Sequence, residues 1–327
     1  MKPFAYVNAA NEKEAIAALS KEYEKSLPIG GGQDLLARMK DYVTQPDRLV
    51  NVKSALASNV TAQGGGLRIG AAMKIVEVAE HADIARLYPA VAAAAIEVGT
   101  PQIRNQGTVG GNVNQRPRCW YFRNEEFVCL KKGGTRCFSI TGENQFNAIL
   151  GGGPSYIVHP SSLAVPFIAY GATFRILGPT GERMVPASEY FTPPTQNVRV
   201  ENVLAPNELL THVVLPAPGS VKSGHYEVRY KASHDWPIAF ATVLLSMTGN
   251  RVQAARVVMG AVAPIPWRSP EAERALVGQT VTEATATAAA EAALQGAQPL
   301  RQNAYKIQVA KTAVKRAILR AAGIATA

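Results

Sequence analysis

The chain has 327 residues, 47% of them hydrophobic, and a near-zero mean hydropathy, enough to bury one or two cores as an ordinary globular protein. It lacks any apolar run of roughly eighteen residues, and its opening, MKPFAYVNAANEKEAI, has no basic segment followed by an apolar one, so neither a membrane span nor a signal peptide is expected. The net charge of +10 would suit nucleic acid, a membrane surface or an acidic partner, but the Lys and Arg are spread along the chain. In KIQVAKTAVKRAILR, for example, Lys306, Lys311, Lys315 and Arg320 alternate with apolar residues as on the solvated face of an amphipathic helix.

Residues 1–55 read as a small α/β unit: strand PFAYV, helix NEKEAIAALSKEY, strand SLPI, a GGG turn, helix QDLLARMKDY and strand RLVNV. Residues 56–218 read as a second unit. LRIGAAM is strand-like, MKIVEVAEHADIARLYPAVAAAAIEVG two helices broken before Pro89, IRNQGTVGGNV a Gly-rich loop, and YIVHPSSLAVPFIAYGATFRIL a helix followed by a strand. Beyond Pro218 a third unit, 219–327, shows three strands, YEVRYKAS, AFATVLLSMTG and VQAARVVMGAVA, followed by two helices.

Two glycine turns stand out. IGGGQDLL places Gly30, Gly31 and Gly32 directly before a helix, and the second turn offers Gly107, Gly110 and Gly111 beside Thr108 and Asn112. Glycine lets a backbone approach a ligand closely, and free N–H groups at a helix start attract phosphate oxygens. Neither turn is a GxGxxG or GxxxxGK[ST] fingerprint; alone each suits a tight turn, and together they could hold a dinucleotide diphosphate. All three cysteines, Cys119, Cys129 and Cys137, fall in one loop-like stretch with Cys-x9-Cys-x7-Cys spacing. An odd number at this length is no disulfide framework and leaves metal binding, redox chemistry or chance open.

IGGGQDLLARMK, RNQGTVGGNV and HPSSLAVPFIAYGA, in that order, resemble the FAD-contacting segments of the FAD-binding medium subunit of the molybdenum hydroxylases, the xanthine dehydrogenase and carbon monoxide dehydrogenase flavoprotein family. RYKASHDWPIAFATV and GAVAPIPWR extend the likeness into the third unit. The resemblance implies an α+β chain: a vanillyl-alcohol-oxidase-type FAD fold of two α/β lobes, plus a C-terminal α+β domain with a three-stranded antiparallel sheet. It implies FAD contacts from Ile29, Gly30, Gly31, Gly32, Gln33, Asp34 and Leu35, and from Arg104, Asn105, Gly107, Thr108, Gly110, Gly111 and Asn112. Where the family usually has Ser-Asp after His-Pro, this chain has Ser161 and Ser162, so Ser162 replaces a carboxylate contact and altered binding is implied. Lys231 matches a basic position facing the flavin.

Between the second and third segments about forty residues are inserted, from about 115 to 155, and they hold every cysteine. The insertion resembles loops of hydroxybenzoyl-coenzyme A reductase and periplasmic aldehyde oxidoreductases that carry a [4Fe-4S] cluster. Thiolates are the usual ligands of such clusters, and Arg118, Lys131, Lys132 and Arg136 could offset its charge. Where those loops often have a fourth cysteine, this chain has Ser155; the alternatives are a three-iron cluster, a water-bound fourth iron, a ligand such as His159, which suits a structural His-Pro turn better, or no cluster. Three Cys with one His would also suit zinc, but the CxxC pairs of zinc knuckles are absent.

The expected role is electron transfer: from the [2Fe-2S] centres of a small partner subunit, supplied by a molybdenum-cofactor large subunit, through FAD to an external acceptor, with NAD, ferredoxin, quinone and oxygen all open. The expected location is the cytoplasm, or the periplasm by export with a signal-bearing partner. The competing readings are a self-contained flavin oxidase or dehydrogenase, for which no substrate-capping domain is evident, and a basic docking or nucleic-acid-binding module, favoured by net charge alone.

Overall fold

The computed structural model describes residues 1–325. The N-terminal unit is a parallel sheet in which β3 (Arg48–Asn51) lies between β1 (Ala5–Asn8) and β2 (Ser26–Ile29). Helices α1 (Glu12–Ala18) and α2 (Leu35–Lys40) connect the strands. Asn11 starts α1 by accepting from the Glu14 amide at 2.9 Å, and Glu14 accepts in return from the Ala10 amide at 3.0 Å. This reciprocal cap satisfies two donors that a helix start leaves free.

In the second unit β4 (Val60–Gln63), β5 (Gly66–Gly70), β6 (Thr173–Gly178), β7 (Gly181–Pro186) and β8 (Leu209–Leu215) form an antiparallel sheet in the order β4-β5-β8-β6-β7. The hairpin of β4 and β5 went unread in the sequence. It turns on Gly64 and Gly65, both with positive φ, as a two-residue hairpin turn requires. The helical stretch expected as two helices is three, α3 (Ile75–Glu80), α4 (Ala82–Leu87) and α5 (Pro89–Ile96), with a further break at extended His81.

The segment expected as a Gly-rich loop is two short helices, α6 (Pro101–Gln106) and α7 (Val109–Val113). Thr100 and Thr108 cap them, each hydroxyl accepting from an amide three residues on, Ile103 and Gly111. These caps outweigh the poor helix propensity of glycine. The insertion carries one turn of helix, α8 (Trp120–Arg123), and packs on its own aromatic rings, with Phe127 edge-on to Tyr121 at 5.1 Å and to Phe138 at 5.2 Å. After it come α9 (Ala164–Ala169) and α10 (Ala187–Tyr190).

The C-terminal sheet has four strands rather than three, in the order β12-β11-β10-β9. β10 (Ala239–Thr248) and β11 (Arg251–Gly260) match the expectation, β9 (Val221–Val228) begins five residues before the expected YEVRYKAS strand and ends before its last five residues, and β12 (Trp267–Arg268) is a two-residue strand pairing with Met259 and Val258, too short to show a pattern in the sequence. Helix α11 (Pro270–Leu276) was also unanticipated; α12 (Glu283–Ala293) and α13 (Tyr305–Ala322) were read correctly. β10 is apolar on both faces because both are buried. Phe240 and Leu244 enter the core of the second unit, while Ala241, Val243 and Leu245 face the C-terminal helices. This shared strand fixes the C-terminal domain against the second lobe.

Candidate functional site

The two glycine turns meet. Gly30–Gly32 follows the end of β2, and Gly107 and Thr108 lie between α6 and α7. The backbones approach so closely that a Cβ on Gly31 would fall 2.0 Å from the Gln106 carbonyl oxygen, and one on Gly30 would fall 2.8 Å from Thr108 Oγ1. Gly32 adopts φ +72°, the left-handed region open to glycine. Beside this contact runs a cleft of about 1360 Å3. Its walls include Ile29, Gly30, Gly31, Gly32, Gln33, Asp34, Leu35, Gly107, Thr108, Gly111, Asn112 and Ser162.

Ser162 is placed there by its neighbour. Ser161 Oγ donates to Asn112 Oδ1 at 2.6 Å and accepts from the Ala164 amide at 3.0 Å, which joins the third segment to the second. Four residues assigned from the resemblance stand outside the walls. Gly110 packs behind its helix on Ala71, Arg104 turns away to the Val98 carbonyl at 3.0 Å, and Asn105 donates to the Pro101 carbonyl. Lys231 is exposed and does not line the cleft; in its place His234, Asp235, Trp236 and Pro237 do. The turn after β9 carries the chain past Lys231 before it reaches the cleft, and the Lys231 amide donates to Asp235 at 3.0 Å.

The charge buried beside the cleft was not anticipated from the sequence. Asp34 is ion-paired to Arg38 at 3.2 Å, Arg118 at 2.9 Å and Arg123 at 2.6 Å. Burial raises the Asp34 pKa, but the guanidinium groups of Arg123, Arg118 and Arg38 outweigh it and hold the carboxyl at about 2. Arg116 pairs with Glu201 and Glu24, each at 2.8 Å, and Lys131 with Glu201 at 2.7 Å. Five cations, Arg38, Arg116, Arg118, Arg123 and Lys131, thus face three anions, Glu24, Asp34 and Glu201, an excess of two positive charges. Arg118 and Lys131, expected to offset a cluster, are committed first to these carboxylates. Of this network only Asp34, Arg38 and Arg118 reach the cleft walls, which also carry Glu97 and Asp235, so it is the close backbone approach, more than net charge, that suits the diphosphate of a dinucleotide.

A second cavity, with Trp120, Phe146, Tyr230 and Trp236 in its walls, shares Arg118, Pro160, Asp235, Trp236 and Pro237 with the cleft. Arg118 lies over the Trp236 ring at 4.3 Å. Beyond it, Cys119, Cys129, Cys137 and Ser155 line one small cavity, and Cys119 borders both spaces. Burial pushes the Cys119 thiol up. Among the described residues no three His, Cys, Asp or Glu side chains converge as ligands of a single metal ion, which goes against the zinc alternative. A four-iron cubane places its irons at separate corners, so its ligands face one cavity without meeting at a point. Three thiols and a hydroxyl are donors of the chemical kind such a group takes, although they form no metal-binding group among the described residues. His159 is absent from this cavity. Its Nδ1 faces the Ser161 amide at 3.3 Å, its ring meets Phe191 edge-on at 4.7 Å, and burial pushes its pKa down to about 4.

Residues 2–218 match the family model described as the FAD binding domain in molybdopterin dehydrogenase, and residues 224–321 match the CO dehydrogenase flavoprotein C-terminal domain. The chain belongs to the molybdopterin dehydrogenase FAD-binding family. It is 30% identical to the aldehyde oxidoreductase FAD-binding subunit PaoB of Escherichia coli K12, over 95% of this chain and 96% of that one. It is 27% identical to the carbon monoxide dehydrogenase medium chain of Hydrogenophaga pseudoflava, over 96% of each. Among solved structures, a chain of the Cu,Mo-CO dehydrogenase superposes with a TM-score of 0.78 at 24% identity, covering 99% of this chain and all of that one, a likeness that shows the fold. The family makes the chain an FAD-binding flavoprotein subunit of a multi-subunit oxidoreductase.

Proposed function

We propose that this chain is the FAD-bearing electron-transfer subunit of a molybdenum hydroxylase complex, set between the [2Fe-2S] centres of a small subunit and an external acceptor, and that its insertion holds a [4Fe-4S] cluster. The observation that carries the reading is the backbone contact of the Gly30–Gly32 turn with Gln106, Gly107 and Thr108 along one wall of the cleft. When bound, FAD supplies exchange between two-electron and one-electron transfer, and the iron–sulfur group supplies one-electron relay. The chain's own part is position and charge. The amides of the Gly30–Gly32 turn orient the diphosphate, those of Gly107, Gly110 and Gly111 donating within the chain instead, while Arg118 and Trp236 border both the cleft and the aromatic cavity. Cys119, bordering that cavity and the thiol cavity, links the two redox sites. Cys119, Cys129 and Cys137 are the proposed ligands, with Ser155 fourth; a serine oxygen is a harder ligand than a thiolate.

The reading implies a molybdenum-cofactor large subunit as electron source and places no organic substrate on this chain. It suits the cytoplasm, or the periplasm after export with a signal-bearing partner. The test is the anaerobic absorption spectrum of the complex and of this subunit, with FAD, iron and acid-labile sulfide determined. Stoichiometric FAD with about four irons per chain, the iron lost when any of the three cysteines becomes Ala, is the expected result. Absence of flavin in the intact complex overturns the reading, and flavin without iron removes the cluster from it.

A further inference from the structure

Two buried polar side chains lie against the proposed cysteine ligands. Ser139 is fully buried, and its hydroxyl lies 3.0 Å from Cys137 Sγ. Asn147, also buried, places Nδ2 3.9 Å from Cys119 Sγ while donating to the Tyr156 carbonyl at 3.0 Å. Once the sulfurs are deprotonated to bind iron they can only accept, so the Ser139 hydroxyl and the Asn147 amide become their donors.

Both donors are held from outside the insertion. Asn144 Nδ2 donates to the Ser139 carbonyl at 2.9 Å. Asn144 in turn exchanges two hydrogen bonds with Gln302, its amide donating at 2.8 Å and its Oδ1 accepting from the Gln302 amide at 2.9 Å. The Asn147 carbonyl accepts from Asn303 Nδ2 at 3.1 Å and from Lys306 Nζ at 3.0 Å. Gln302 and Asn303, just before α13, and Lys306 in its first turn therefore fix the segment from which both sulfurs receive their hydrogen bonds. A donor fixed on a ligand sulfur draws negative charge from it, which favours the reduced, more negative form of the metal group.

We propose that Ser139 and Asn147 are positioning residues that donate hydrogen bonds to the thiolates of Cys137 and Cys119 and raise the reduction potential of the iron–sulfur group those thiolates hold. The proposal rests on the cluster assignment made under Proposed function. The same contacts serve reduction in either direction of electron flow, because they act on the potential and not on a substrate.

The experiment is a redox titration of the purified complex followed by electron paramagnetic resonance, in wild type, Ser139→Ala, Ser139→Thr and Asn147→Leu, with iron and sulfide measured on each. The expected result is a more negative midpoint in Ser139→Ala and Asn147→Leu, and recovery toward wild type in Ser139→Thr, which keeps the hydroxyl. The flavin midpoint should stay unchanged in all four. An unchanged midpoint in Ser139→Ala overturns the proposal. So does a loss of iron in which the remaining clusters keep the wild-type midpoint, because that is a purely structural role. A wild-type complex without iron and sulfide overturns the cluster assignment first and this proposal with it, and is recognised before any variant is compared.

Discussion

Gly31 and Gln106 touch backbone to backbone: a Cβ on Gly31 would fall 2.0 Å from the Gln106 carbonyl oxygen, with the carbonyl carbon at 2.6 Å. Neither atom can rotate away, so Gly31→Ala must separate the two turns that form the cleft. The expected outcome is a folded chain that retains little FAD, with affinity weakened at least about tenfold for each 1.4 kcal/mol of strain. Gly30→Ala is the matched control. Its Cβ would meet the Thr108 hydroxyl at 2.8 Å, and a side chain can adjust. Flavin-to-protein ratios after purification and FAD titration by fluorescence quenching should rank wild type, Gly30→Ala and Gly31→Ala in that order.

Asp34 gathers three guanidinium groups from two parts of the chain. Its pKa of about 2 lies below the ordinary carboxylate value of 3.8, so its stabilising contribution is complete above the ordinary value and lost as pH falls toward 2. FAD retention should therefore show no titration from this carboxyl at neutral pH. Asp34→Asn leaves buried cations without their anion and should cost about 3–5 kcal/mol, measured by urea denaturation. It should also loosen the insertion, because Arg118 and Arg123 both belong to it, and limited proteolysis near residues 118–123 reports that change.

The strands and helices of the N-terminal unit, and the order of the two glycine turns and the His-Pro segment, were legible because each depends on local chemistry. The Asn11 cap and the apolar run of β10 are of this kind, whereas Lys306, expected on the solvated basic face of α13, is buried and donates to the Ala261 carbonyl at 2.7 Å. The charge network was not legible, since Arg116 and Glu201 are 85 positions apart and nothing local marks either as buried. Lys231 was misplaced for a related reason: its identity suggested a ligand contact, but the path of the turn presents Asp235 and Trp236 to the cleft instead. The motif found the loops, and tertiary packing decided which side chains line the cleft.

His159 has a pH consequence. Burial holds its pKa at about 4 in the folded chain against an ordinary 6.5, so between those values the unfolded chain binds the extra proton. Its neutral form contributes stability that is complete above the ordinary value and declines as pH falls toward 4, at up to about 1.4 kcal/mol per pH unit. Denaturation midpoints measured from pH 7 to pH 4.5 should fall, and His159→Gln should flatten the curve over that interval. Iron content should survive His159→Gln, because the ring does not enter the thiol cavity.

Ser155 is the most direct test of what the insertion does. It is buried and lines the same cavity as the three thiols, at the position where a fourth cysteine would complete a thiolate set. Ser155→Cys should give a complex with the same or higher iron content, slower loss of iron in air and an altered cluster midpoint, since a soft thiolate replaces a hard oxygen on one iron. Ser155→Ala keeps the volume nearly constant and removes the oxygen, so it should release iron faster than wild type while leaving the flavin-to-protein ratio unchanged. The two substitutions move iron retention in opposite directions only if residue 155 is a ligand. If Ser155→Cys and Ser155→Ala both match wild type in iron and in midpoint, the fourth position is held by something other than this side chain, and the role of Ser155 reduces to packing against the thiols.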